Sequence, residues 1–254
     1  MAHALGHLIR FRPVARRVSA GTNFVRHLFL GFLACLSAAA QPGASYPLVR
    51  FTVFAVKAPA DLAFVPTPGA APQKLQFYPT ARSPRYDYRG PVPLRIIDST
   101  TGQSVAEVAI PPGAGEFLLL LTPVAPAAAS GVGTLRYHVA VIDDGALRHG
   151  PGGLAILNLS GLELRGSVGK EPVTLQSGLN PAITLAGATK VALSSVYKGR
   201  TYPAYGGTVT LKRNERALLL LFPPFYQGSL EAQSRLLIDY PPGLAPAPKA
   251  VPKR

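Results

Sequence analysis

After residue 40, the histidines and carboxylates of this 254-residue chain come together in only one place. That cluster consists of His138, Asp143, Asp144 and His149. Neutral imidazoles and carboxylates can bind a divalent metal or relay a proton, so this cluster is the first candidate for chemistry. However, Asp143 aligns with Asp239 in a repeated segment, where Ser234 stands in place of His138. A repeated aspartate at a strand end is more simply a turn residue, so no catalytic residue or metal ligand is predicted here.

Other catalytic motifs are missing from the sequence. It contains no Gly-x-Ser-x-Gly nucleophile elbow, and no Gly-rich loop leads into a helix to cradle a phosphate. Cys35 is the only cysteine and falls inside a predicted export signal, so thiol catalysis and zinc-thiolate sites are not expected in the cleaved chain. The sequence therefore predicts a protein that is not an enzyme and has no cofactor. A hydrolase built on a His-Asp pair remains an alternative.

Two segments interleave tyrosines with arginines and are the candidates for binding. The predicted binding residues are Tyr78, Arg82, Arg85, Tyr86, Tyr88 and Arg89 in the first segment, and Tyr197, Arg200 and Tyr202 in the second. Tyrosine rings can stack on sugars, and guanidinium groups can bind carboxylate or phosphate through paired hydrogen bonds. The alternative interpretation is structural: tyrosines in Pro-rich loops often pack over the edge of a β-sandwich while nearby arginines stay solvated.

The elements that position these residues are predicted to be β-strands throughout. Short apolar, β-branched or aromatic runs alternate with Pro, Gly, Asn, Asp and Ser clusters. The segment 116–123, Glu-Phe-Leu-Leu-Leu-Leu-Thr-Pro, returns as 216–223, Arg-Ala-Leu-Leu-Leu-Leu-Phe-Pro. Such a repeat indicates an internal duplication. The predicted fold is all-β, with two tandem immunoglobulin-like β-sandwich domains at 41–144 and 154–240 and a linker at 145–153.

The four-leucine runs carry a further expectation. In an antiparallel sandwich with one solvated face, side chains should alternate between apolar and polar, yet 118–121 and 218–221 offer leucine to both faces. Something must therefore cover the outer leucines, either a loop or the other half of this chain, or else a partner surface. Glu116 and Arg216 at the strand entrances are predicted to be charged gatekeepers against edge aggregation.

The two ends of the chain have compositions unlike the rest. Residues 1–40 combine five arginines, an apolar run at 28–36 and small residues at 37–40, which is the order of a signal peptide. Lipidation at Cys35 is a minor alternative to cleavage near Ala40. The apolar run is too short to span a bilayer, so no transmembrane span is predicted. Residues 241–254 are predicted to form a disordered, Pro-rich basic tail.

The second half opens with Leu-Ala-Ile-Leu-Asn-Leu-Ser at 154–160 and then has the Gly169 turn. In this it resembles exported bacterial β-sandwich domain proteins of uncharacterised activity, which are similar in outline to cell-surface and starch-binding-like sandwiches. The resemblance implies a β-sandwich and no established reaction. The first half departs from that opening, with Phe-Ala-Val-Lys at 54–57.

These observations predict a non-catalytic module in the periplasm or the secreted fraction that binds or organises a surface polymer or protein partner. Five of the 26 lysines and arginines and none of the 12 acidic residues lie in 1–40, so the cleaved chain has a formal net charge of 21 minus 12, or +9. This charge favours an anionic envelope polymer, a glycan or another envelope protein as the partner, rather than nucleic acid. A periplasmic assembly chaperone with two immunoglobulin-like domains is the first alternative, because such proteins combine basic charge with donor-strand binding.

Overall fold

The structure is a computed structural model that describes residues 45–57, 59, 61–124 and 135–241. These residues belong to one compact unit, 45–254, and form strands and turns without a helix, as predicted for an all-β chain. Within this part of the chain, no helix is long and apolar enough to cross a membrane. The predicted signal peptide, Cys35 and nearly all of the predicted tail lie outside the described residues.

The first half of the described chain forms two four-stranded sheets. Sheet I has the order β4-β1-β7-β8, with β1 Val49–Ala55, β4 Tyr86–Tyr88, β7 Gly115–Pro123 and β8 Tyr137–Asp143. Sheet II is antiparallel in the order β3-β2-β5-β6, with β2 Leu62–Phe64, β3 Gln73–Lys74, β5 Leu94–Asp98 and β6 Ser104–Val108. Sheet I is mixed, because β1 runs parallel to β7 and antiparallel to β4.

The second half also forms two sheets. Sheet III has the order β12-β9-β16-β17, with β9 Gly153–Asn158, β12 Gly178–Leu179, β16 Arg216–Phe222 and β17 Gln233–Asp239; β13, Ile183–Thr184, also pairs with β9. Sheet IV is antiparallel in the order β11-β10-β14-β15, with β10 Leu164–Val168, β11 Glu171–Leu175, β14 Thr189–Tyr197 and β15 Arg200–Val209. Like β1 and β7, β9 and β16 are parallel.

Three buried apolar clusters lie between these sheets. The first core contains residues from sheets I and II, and the second core contains residues from sheets III and IV. A third cluster, here called the shared core, contains residues from sheets I and III. The central strands of sheets I and III, β1, β7, β9 and β16, therefore have buried residues on both faces, whereas sheets II and IV are the outer layers.

The shared core explains why leucine occupies both faces of the repeated strands. Leu119 and Leu121 of β7 point into the first core, whereas Leu118 and Leu120 point into the shared core. In the same way, β16 divides its leucines between the second core and the shared core. Successive side chains of a strand point to opposite faces, so a strand buried on both faces needs apolar residues in succession. The outer leucines are thus covered within this chain.

The two tyrosine- and arginine-containing segments that were predicted to be loops contain strand residues. The tyrosine-rich segment 78–89 contains β4, whose buried, exposed, buried pattern is the alternation of a strand. In the second segment, β14 and β15 form a hairpin with Lys198 and Gly199 at its turn. Both turn residues have positive φ, 50° and 75°, which suits the tight turns that match strand twist. The remaining residues of the segment therefore continue into β15.

The segment 145–153 predicted to be a linker contains turns, including hydrogen bonds from the amides of Arg148 and His149 to the carbonyl of Gly145. His149 within it is buried. The domain boundaries proposed from the sequence stay a prediction, as does the immunoglobulin-like character of each half.

Candidate functional site

Among the predicted binding residues, three have side chains inside the protein: Arg82, Tyr86 and Tyr88. The ring of Tyr86 packs against those of Phe51 and Phe64, with centroid distances of 5.5 Å in each pair. Burial raises the pKa of both tyrosine hydroxyls above its ordinary value. These rings pack in the first core and are only 4% and 5% exposed, so the prediction that they belong to an exposed binding loop is corrected.

Arg82 and Arg85 take part in an ion network between the two halves, which we define as Arg82, Arg85, Asp144, Arg216 and Asp239. Arg82 bonds to the Asp144 carboxylate. Arg216 joins the two carboxylates, with Nη2 2.8 Å from Asp144 Oδ2 and Nε 2.9 Å from Asp239 Oδ1. Arg85 Nη2 lies 3.4 Å from Asp239 Oδ2. The network therefore connects the loop before β4 and the loop after β8 with both β16 and β17.

Arg216 is the centre of this ion network and is only 1% exposed. In addition to its two carboxylate partners, its Nη1 donates to the backbone oxygens of Asp144 and His149, at 2.8 and 2.9 Å. All five guanidinium N–H groups are thus matched by acceptors. The prediction that Arg216 is a solvent-facing gatekeeper is wrong, because a strand between two cores has no solvated entrance at this position. Glu116 is half-buried and lies 3.7 Å from Arg50.

The charges of the ion network hold one another ionised. Burial alone would raise the pKa of Asp144, but its interaction with His149 and the charges of Arg82 and Arg216 outweigh that effect and lower the pKa. Burial would lower the pKa of Arg216, yet the Asp239 and Asp144 carboxylates raise it. A buried charge is tolerated when it is paired in this way. The ion network therefore links the two halves of the described chain through paired charges.

The strand pairing also corrects the alignment of the repeated aspartates. In each half, the last strand pairs antiparallel with the four-leucine strand. When the leucines are matched, Asp144 rather than Asp143 occupies the position of Asp239. Asp143 instead accepts a hydrogen bond from the amide of Gly145 at 3.1 Å and lies 3.2 Å from Arg148 Nε. Asp143 therefore has the turn role that was predicted for a repeated aspartate. The two aspartates that do correspond, Asp144 and Asp239, belong to the ion network instead.

The histidines of the first candidate cluster occupy different environments. His138 is exposed on β8, whereas His149 is buried, with Nδ1 3.7 Å from Asp144 Oδ1 and Nε2 3.3 Å from the carbonyl oxygen of Gly153. Asp144 is already engaged by two arginines. Among the described residues, no three His, Cys, Asp or Glu side chains are grouped so that they could hold a metal ion.

The second predicted segment forms an exposed hairpin tip. Tyr197, Arg200 and Tyr202 are all exposed at the turn between β14 and β15. Lys198 Nζ lies 5.3 Å from the centroid of the Tyr197 ring, a cation-π arrangement. The neighbouring Val196 is also exposed. The tip thus presents flat aromatic and apolar surface beside two cations.

The structure also exposes a second pair of aromatic residues that was not predicted as a binding candidate. Phe225 and Tyr226, in the loop between β16 and β17, are 74% and 73% exposed. Their rings pack edge to face, with centroids 4.9 Å apart and an interplanar angle of 79°. The signal available in the sequence was Pro-Pro-Phe-Tyr-Gln-Gly at 223–228, two aromatics between turn-forming residues.

The two aromatic groups lie at the same end of the second half. The amide of Ala232, at the end of the Phe225 loop, donates to the carbonyl of Ala204 in β15. Ala204 is two residues along β15 from Tyr202, near the hairpin turn. We therefore treat these groups as one surface, the aromatic tip, defined as Tyr197, Lys198, Arg200, Tyr202, Phe225 and Tyr226.

A polar cleft of about 400 Å³ opens at this end of the second half as well. Its lining includes Asn158, Glu163, Arg165 and Gln176. Asn158 is paired with Leu221 of β16, and Arg165 is paired with Ser194 of β14. The cleft thus lies next to strands that lead into both aromatic loops, and charged and amide groups line it.

The remaining predicted residues belong to the first half. Tyr78 and Arg89 are exposed, and the Tyr78 hydroxyl donates to Gln76 Oε1 at 2.8 Å. Arg85 is partly exposed and engaged with Asp239. The two predicted clusters therefore lie on different halves and do not form one site. Comparison with protein-family models and with curated proteins finds no match to this chain.

Proposed function

We propose that this chain is an exported, non-catalytic envelope or secreted module whose aromatic tip binds a surface polymer, with an anionic glycan as the preferred class. It is built, on this proposal, from two tandem immunoglobulin-like sandwiches that arose by duplication. The observation that carries the proposal is the aromatic tip, where four exposed rings and two cations occupy two loops at one end of the second half.

The duplication is supported by the pairing of the two mixed sheets. In each, an opening strand runs parallel to a four-leucine strand, which then pairs antiparallel with the last strand of its half. Both four-leucine strands contribute to the shared core in the same alternation. Asp144 and Asp239 occupy corresponding positions and both bond to arginines.

Polymer binding is supported by the chemistry of the exposed groups. Aromatic rings offer flat apolar faces to the carbon-bound hydrogens of sugar rings, and Lys198 and Arg200 supply charge for carboxylate or sulfate groups. Phe225 and Tyr226 leave two packed rings exposed on a loop, and contiguous exposed apolar surface is typical of interaction sites. Side chains of the neighbouring cleft add hydrogen-bonding groups.

Retention on immobilised polymers tests the proposal. The full chain and a Tyr197→Ala, Tyr226→Ala double variant are passed over an anionic polyuronate and over a neutral glucan. We expect the parent to be retained by the polyuronate, and retention to fall about tenfold in the double variant, because each ring contact contributes about 0.5–1.5 kcal/mol. Leu147→Ala is the matched control, since Leu147 is fully exposed and lies outside the tip.

Two results would contradict polymer binding: no retention of the parent on either polymer, or equal retention of the parent and the double variant. Export is tested separately by fractionating cells that express the full chain. We expect the protein in the periplasm or the medium, shortened near Ala40, and a cytoplasmic, full-length product would contradict export.

A further inference from the structure

The polar cleft of about 400 Å³ in the second half is lined by two charges of opposite sign, Glu163 and Arg165. They lie on either side of the buried Leu164, at the start of β10. Because alternate side chains of a strand point to the same face, both charges are on the outer face of sheet IV. Both residues are exposed, and among the described residues neither has an ion-pair partner within 4.0 Å. The cleft therefore presents a carboxylate and a guanidinium side by side, and neither neutralises the other.

Two buried asparagines fix the loops that form the walls of this cleft. Asn158 Nδ2 donates to the carbonyl oxygen of Leu162 at 3.1 Å, and Asn158 Oδ1 accepts hydrogen bonds from the amide and the hydroxyl of Ser160. In the opposite wall, Asn180 Oδ1 accepts from the amide of Gln176 at 2.8 Å, and Asn180 Nδ2 donates to three backbone oxygens. A site whose walls are fixed before binding loses less conformational entropy when a ligand arrives.

The rest of the lining suits a small polar ligand. Thr174, which is paired with Arg165 across the strands, and Ser177 supply hydroxyl groups, and Gln176 supplies an amide. Clefts that bind small molecules typically have volumes of about 300–1,000 Å³, and a few polar groups in them fix the orientation of the ligand. A ligand that carries both a positive and a negative charge would satisfy Glu163 and Arg165 together.

The spacing of the two charges indicates the length of that ligand. Residues two apart in a strand are separated by about 6.6 Å, at about 3.3 Å per residue. An extended dipeptide covers about 7 Å between its terminal ammonium and its terminal carboxylate, whereas a single amino acid covers only about 3.5 Å. We propose that this cleft binds a dipeptide with free ends, its ammonium facing Glu163 and its carboxylate facing Arg165. This site is separate from the aromatic tip, because no residue of the tip lines the cleft.

Titration of the isotope-labelled full chain with dialanine, followed by NMR, tests this site. We expect the amide signals of Gly161 and Ser177, which line the cleft, to shift with a Kd of about 1 mM. N-acetyl-dialanine lacks the ammonium, and dialanine amide lacks the carboxylate. We expect each blocked peptide to bind about tenfold more weakly, because one charge-assisted hydrogen bond is lost. Free alanine is the length control, and we expect it to bind more weakly than dialanine.

Two variants test which charge binds which end of the peptide. In Glu163→Gln, we expect dialanine and N-acetyl-dialanine to bind equally, whereas in Arg165→Met we expect dialanine and its amide to bind equally. Loss of discrimination at one end only cannot result from unfolding, which would abolish all binding. Glu171→Gln and Lys190→Met are the matched controls, because these exposed charges belong to sheet IV and lie outside the cleft. We expect both controls to bind dialanine as the parent does.

Three results would overturn the proposal. The first is the absence of a shift of the cleft amides at about 10 mM dialanine, and the second is equal binding of dialanine and both blocked peptides. The third is discrimination that both variants retain, which would place the peptide elsewhere. The Tyr197→Ala, Tyr226→Ala double variant should bind dialanine as the parent does, so failure of this proposal and failure of polymer binding at the aromatic tip are distinguishable. Loss of dialanine binding in that variant would place the peptide at the tip and would also contradict the proposal.

Discussion

Replacing Arg216 by methionine tests whether the ion network fastens the two halves. Methionine keeps most of the apolar stem but removes all five donors, so Asp144 loses one of its two arginines and Asp239 loses its closest one. Two backbone carbonyls, those of Asp144 and His149, also lose their Arg216 partner. Breaking a buried ion pair by removing one partner costs about 3–5 kcal/mol. We expect Arg216→Met to lower the free energy of unfolding by an amount in that range.

The assay is urea unfolding of the full chain, followed by circular dichroism and tyrosine fluorescence because the chain has no tryptophan. Arg95→Met is the matched control, since Arg95 pairs with Glu107 at 3.5 Å on the surface, with a side chain that is 69% exposed. An exposed pair contributes about 0–1 kcal/mol. If Arg216→Met and Arg95→Met shift the unfolding free energy equally, the fastening role of the network is refuted.

Three further predictions concern the cores, the acid stability and the strand packing. Leu120→Ala should lower the free energy of unfolding by about 2–5 kcal/mol, because it leaves a cavity in the shared core; denaturant unfolding with a change below 1 kcal/mol would contradict this. The Asp144 pKa is lowered from its ordinary value of 3.8, so the carboxylate stabilises the fold above that pH, and this contribution is lost as the pH falls through the folded pKa. Thermal unfolding below pH 4 should therefore show a shallower loss of stability in Asp144→Asn than in the parent, and parallel curves would count against it. Gly166→Ala should disrupt the pairing of β10 with β14, since a Cβ there would lie 1.9 Å from the carbonyl oxygen of Ala192, whereas Gly206→Ala meets nothing within 4 Å; equal melting temperatures for the two variants would be the contrary result.

The local sequence pattern was sufficient where an element depends on its own residues. Alternating and continuous apolar runs between Pro and Gly clusters predicted strands, and the described chain is all-β. The pattern predicted the wrong environment where a residue is surrounded by residues that are far away in the sequence. Tyr86 and Tyr88 look like loop aromatics until β4 pairs with β1 and buries them. Arg216 looks like a charged strand entrance until Asp144, from the loop after β8, and Asp239, from the end of β17, bond to it.

The aromatic tip illustrates the same division. The exposure of Tyr197 and Tyr202 follows from the hairpin turn, which the Lys-Gly pair at 198–199 encodes locally. The placement of the Phe225 loop at the same end of the second half follows from the bond between Ala232 and Ala204, and no sequence period records that contact. Half of this surface was therefore predictable, and its second pair of rings was not.

The sequence by itself determined that this chain forms strands, that two of them repeat, and that leucine must be buried on both of their faces. Only the tertiary structure decided what covers those faces, because leucine has the same transfer free energy against a loop, a partner or another sheet. The answer is the shared core between sheets I and III. The ion network beside it required specific partners at specific distances, and these exist only after residues far apart in the chain have been brought together.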